Sequence, residues 1–80
     1  MRQYNATKIG TRYGRESLIV HGAGQTVSVD RTAAGLAWCQ SRGMTPAYTV
    51  TAAGESFTVW TGVIRCSIGG TMEAACAIPA

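Results

Sequence analysis

Histidine occurs once in this chain, at His21, and carboxylates only four times, at Glu16, Asp30, Glu55 and Glu73. So thin a supply leaves little for acid–base catalysis, because the four acids fall on caps and turns with no two near in sequence. His21 closes an apolar run, where a lone histidine is ordinarily a sheet residue. Cysteine is also scarce. Cys39, Cys66 and Cys76 carry no flanking signature that selects a nucleophile, and with His21 they never approach the close ligand spacing of a zinc knuckle. The glycine clusters at 10–14 and 22–24 lack the Lys-Ser/Thr of a phosphate loop, and neither opens a helix. No catalytic, metal-binding or cofactor residue is assigned, and no enzyme is expected.

Three cysteines make an odd count, whereas a disulfide framework wants an even one and a secreted context. Residues 1–8 contain no apolar stretch of the kind a signal peptide needs, and no run approaches the ~18 apolar residues of a membrane span. The expectation is a soluble, intracellular, reduced protein with its cysteines packed as small core residues. A single Cys66–Cys76 bridge stays open as an alternative.

Charge is sparse too, at 14% of residues, yet β-branched residues and glycines dominate, so the chain reads as ordered. The net charge of +3 is unevenly placed. Arg2, Lys8, Arg12 and Arg15 precede the first acid, Glu16. A local positive field of this kind suits nucleic acid or an acidic protein face, or simply a solubilising end.

What the chain does have is one helix signal among short β-type runs. Asp30 suits an N-cap and Gly43 the left-handed position after a helix, which predicts a helix over residues 31–42. Before it, residues 3–9, 17–21 and 25–29 read as strands. The run at 17–21 has the look of a strand buried on both faces. After it, residues 47–52 and 56–61 alternate cleanly around Ala53-Gly54 and predict a hairpin. Gly62 permits a bend before a further strand at 63–68, and residues 71–77 read as a last helical turn or a loose tail. The order is β-β-β-α-β-β-β in one domain covering residues 1–80. Short links favour antiparallel neighbours, so the expected class is α+β: a single antiparallel sheet of five to six strands with the helix packed on one face.

Binding is the better-supported chemistry. On a helix over 31–42, Ala33, Leu36, Ala37 and Gln40 share one side with Cys39 beside them, and Arg31, Gly35, Trp38 and Arg42 share the other. If the leucine side packs on the sheet, Trp38 is presented between two arginines, the composition of a binding hot spot. The alternative turns Trp38 inward as core. Trp60 poses the same question on a threonine-lined strand face. Arg12-Tyr13-Gly14-Arg15 sets an aromatic between cations, a combination that also serves single-stranded nucleic acid. The candidate partner-binding residues are therefore Arg12, Tyr13, Arg15, Arg31, Trp38 and Arg42.

With its capped helix at 30–43, the hairpin at 47–61 and these charged and aromatic positions, the chain resembles small phage-encoded anti-CRISPR proteins against type I systems, subtype I-C among them. The resemblance covers most of the chain as a format and assigns no residue. It implies a non-enzymatic inhibitor in the cytoplasm of an infected bacterium. Such an inhibitor would bind a multi-subunit CRISPR effector and block recognition of target DNA. The alternatives are a small basic nucleic-acid-binding module, and a phage virion or assembly protein whose strands pair between copies at an exposed edge.

Overall fold

Alternation of apolar and polar residues builds six strands, and a glycine-marked break separates each from the next. The computed structural model describes residues 1–12 and 14–80, with every side chain in that set except Arg12. Strands β1 (Arg2–Arg12), β2 (Arg15–Val20) and β3 (Gln25–Val29) form an antiparallel meander. Strands β4 (Thr45–Ala52), β5 (Glu55–Arg65) and β6 (Thr71–Pro79) form a second one. Helix α1 (Ala33–Ser41) joins the two. The fold is α+β with six strands and one helix, in the expected order.

The sheet is not open. It closes into a barrel with strand order β1-β2-β3-β6-β5-β4. Its two seams are parallel: β1 runs alongside β4, with Tyr4 opposite Val50, and β3 alongside β6, with Val29 opposite Ala77. Short links predict antiparallel pairing only between strands adjacent in sequence, and all four such pairs are antiparallel. They say nothing about strands that meet from different meanders. Closure gives partners to edges that an open sheet would leave bare. Irregular registers in β1 between Lys8 and Thr11, and in β4 between Pro46 and Tyr48, supply the local bending a narrow barrel needs.

The barrel is filled by side chains, as a barrel of so few strands must be. Leu18, Val20, Val27, Val29, Tyr48, Val50, Ala52, Phe57, Val59 and Ala77 form this core, with Tyr4, Ala6, Ala23 and Ala75 packed around it. Tyr4 and Ala6 share the inner face of β1 as their spacing predicts. On β2 the outward face is covered only in part, since Ser17 is buried but Ile19 is 41% exposed, so the expectation of a strand buried on both sides holds only at its start. Outward residues of a closed barrel meet solvent unless something covers them, and Ile19 stays partly open to solvent.

Two element boundaries also differ. Strand β5 runs unbroken through Gly62, where a Cβ would stand 2.9 Å from Met44 Cγ, so the glycine serves close packing and not a bend. The third strand of the second meander is then residues 71–79 and not 63–68. Alanine-rich 71–77 carries weak strand propensity by itself. It becomes a strand because β5 pairs with it along its whole length and β3 pairs with its end.

Helix α1 lies against the outer wall of the barrel at β5–β6. There Cys39, Met44, Cys76 and Ile78 make a second apolar cluster, with Leu36, Trp60, Ile64 and Ala74 packed on it. The helix starts later than residue 31. Its N-cap is Thr32, whose Oγ1 accepts from the Gly35 N–H at 3.2 Å. Asp30 acts one step further out, its Oδ1 accepting from the Thr32 N–H at 2.9 Å and the Thr32 hydroxyl at 2.7 Å. Gly43, at φ +72°, ends the helix as its position predicts. Among the described residues no helix is long and apolar enough to cross a membrane.

Candidate functional site

The late start of the helix breaks up the expected Arg31–Gly35–Trp38–Arg42 face. Arg31 precedes the helix and turns to one end of the barrel. There its Nε and Nη2 donate to Glu16 at 3.2 and 2.9 Å, and Nη2 also reaches Glu55 Oε1 at 2.8 Å. Arg31 Nη1 donates to the other Glu55 oxygen. Lys8 Nζ completes the chain at 3.2 Å from Glu55. The guanidinium sits 5.5 Å from the centre of the Phe57 ring, so it covers the end of the core. Arg31 holds the Glu55 carboxyl down to about 2, and Glu16 below its usual range. This charge network ties β1, β2 and β5 to the start of the helical connection. It also commits two of the basic residues, Lys8 and Arg31, to intramolecular partners.

Gly35, expected on the outer side of the helix, is buried against Asp30. The true outer side carries Trp38, 40% exposed, with the Arg42 guanidinium 5.5 Å from its ring centre. That separation allows a cation–π contact. Beside Trp38 a cleft of about 460 Å³ opens between α1 and the barrel wall. Ala34, Gly35 and Trp38 form one wall, Ala74, Ala75 and Cys76 the floor, and Arg15, Ser28 and Asp30 the polar side. The structure thus brings Arg15, from β2, to the same cleft as Trp38. Small residues make the cleft: larger side chains at 34 or 74 would fill it. Asp30 is ionised more readily than usual, chiefly because the Thr32 hydroxyl and N–H donate to it. Neither Arg15 nor Arg42 forms an ion pair among the described residues.

Of the remaining candidates, Tyr13 and the side chain of Arg12 lie outside the described residues. Trp60 is half-buried beneath the helix in the second apolar cluster, so the threonine-lined face does not present it. His21 Nε2 lies 2.6 Å from Thr7 Oγ1 on the neighbouring strand. Among the described residues no three His, Cys, Asp or Glu side chains gather to hold a metal. All three cysteines are free. Cys66 and Cys76 cannot pair, because Cys76 lies opposite Trp60 on β5 while Cys66 follows the far end of that strand. The floor residues Ala74, Ala75 and Cys76 escaped the sequence reading. Their signal, a run of small residues, is visible only once 71–79 is read as a strand.

Comparison with protein-family models, with curated proteins and with solved structures gives no significant match to this chain.

Proposed function

We propose that this chain is a binding domain that docks a protein partner through the face carrying Arg15, Trp38 and Arg42. One observation carries the reading: an exposed tryptophan stacked with one arginine walls a cleft that has a second arginine on its polar side. Tryptophan and arginine dominate interface energetics, and a cleft with an apolar floor can desolvate an inserted side chain. The partner that fits the resemblance to anti-CRISPR proteins is a type I CRISPR effector complex, and docking would block its recognition of target DNA. Arg15→Glu and Trp38→Ala should each weaken effector capture by roughly thirtyfold or more. The melting temperature should stay within a few degrees of the parent. Unchanged capture by both variants overturns this surface. Capture that disappears on nuclease treatment, and weakens steeply with salt, would favour the nucleic-acid module instead.

A different observation favours an assembly role as the second reading. Past Thr61 on β5 and before Cys76 on β6, the two strands pair only with each other among the described residues. This ribbon carries Val63 and Met72, 63% and 49% exposed, and leads to Ile68 at 95%. Bare edges and exposed apolar side chains are the usual means by which strands pair between copies. Sedimentation of the parent and of Ile68→Asp distinguishes the readings. A concentration-dependent oligomer lost in the variant supports assembly, and a monomer throughout removes it.

A further inference from the structure

We propose that Cys39 and Cys76 are an oxidative modification site, two thiols placed to form a disulfide that fastens α1 to the barrel wall. Cys39 comes from the helix and Cys76 from β6, yet both are buried in one apolar cluster. Both are free. They differ in access: Cys39 is fully buried, whereas Cys76 is 8% exposed and forms part of the floor of the cleft beside Trp38. A small oxidant entering that cleft meets Cys76 first, with Cys39 buried in the same apolar cluster. Cys66 sits apart, beyond the far end of β5, and has no such partner among the described residues.

The chemistry balances with a peroxide as oxidant. Cys76 sulfur attacks one peroxide oxygen, the O–O bond breaks, and a sulfenic acid and one water form. Cys39 sulfur then attacks the sulfenic sulfur, its proton leaves with the hydroxyl as a second water, and the S–S bond closes. Two thiols lose two electrons and two protons in all, and the peroxide takes up both. Burial pushes the Cys76 thiol up to about 11, and Cys39 is raised by burial as well. Little thiolate is present at neutral pH, so the reaction is slow there and accelerates as pH rises toward 10. The product would join the wall of the cleft that carries Trp38 to its floor. It would also close a long loop running through β4 and β5, which constrains the unfolded chain.

The test treats the full chain with hydrogen peroxide under native conditions at pH 7 and pH 9, then alkylates it in denaturant. The expected result is loss of two hydrogens in intact mass and one remaining thiol, at Cys66. Peptide mapping should show Cys39 joined to Cys76, with faster formation at pH 9. The melting temperature should rise by roughly 10 °C and return on reduction. Cys66→Ser should behave as the parent does. Three alkylated thiols after oxidation, a bridge that includes Cys66, or oxygen adducts on Cys76 with Cys39 still free would each overturn the proposal. Because the peptide map is read on the unmodified sequence, the outcome does not depend on whether a Cys39 or Cys76 variant folds.

Discussion

Asp30 lies directly beneath Gly35. A Cβ on residue 35 would stand 2.3 Å from Asp30 Cγ and 2.7 Å from its Cβ, closer than atoms can pack. The same Asp30 accepts two hydrogen bonds from Thr32, so it has little freedom to withdraw. Glycine is a poor helix former, and replacing it with alanine in a helix ordinarily helps by about 1 kcal/mol. Here overpacking should win, with Gly35→Ala costing a net ~1–2 kcal/mol by urea denaturation. In an Asp30→Gly background, where these close contacts vanish, the same substitution should become neutral or favourable. Additive costs in that double-mutant cycle would show that the two residues do not conflict.

The β4–β5 turn offers an opposite case. Ala53 at φ +50° and Gly54 at φ +79° both occupy the left-handed region, the requirement of the tight hairpin turn that prefers Asn-Gly. Alanine is strained there and asparagine much less so. Ala53→Asn should therefore stabilise the protein by about 0.5–1 kcal/mol, seen as a rise in the denaturation midpoint with unchanged slope. A loss of stability would mean that Ala53 makes a contact its exposure does not suggest.

The stability profile with pH follows from groups at opposite ends of the scale. Glu55 is lowered from 4.5 to about 2 by Arg31, Glu16 is lowered by the same guanidinium, and Asp30 is lowered by Thr32. Each binds protons more readily unfolded than folded, so its contribution is present above the unfolded value and lost as pH falls from 4.5 toward 2. Cys76, raised from 9.0 to about 11 by burial, works in the other direction. Its contribution is complete below pH 9 and is lost as pH rises from 9 to 11. Thermal melts should show a plateau between these limits with a shallow acid limb, because the carboxylates remain partly exposed to solvent. Raising the salt concentration should flatten the acid limb further.

Arg31 and Arg42 should separate cleanly. Arg31 bridges Glu16 and Glu55 above Phe57, while Arg42 lies over the Trp38 ring and has no ion pair among the described residues. Arg31→Met keeps an apolar stem over Phe57 but leaves both carboxylates without their guanidinium. It should lower the melting temperature at pH 7 and weaken the acid limb, since Glu16 and Glu55 would then titrate nearer their ordinary values. Arg42→Met should melt like the parent. Equal melting of the two variants would count against the charge network as a structural element.

The local chemistry of single elements was legible in the sequence wherever it depends on neighbours along the chain. The alternation around Ala53-Gly54, the shared face of Tyr4 and Ala6, the left-handed Gly43 and the order of the first five strands around one helix all belong to this class. Each is set by side-chain period or by backbone sterics over a few residues. Tertiary structure decided what distant segments do to one another. It closed the barrel through the parallel β1–β4 and β3–β6 seams, and it made a strand of the alanine-rich 71–79 by pairing. It moved the cap from Asp30 to Thr32, because Asp30 is held beneath Gly35. It drew Arg31 away from Trp38 toward two carboxylates, brought Arg15 beside Trp38, and set Cys39 against Cys76. These outcomes depend on which surfaces meet once the barrel closes, and a one-dimensional pattern carries no term for that.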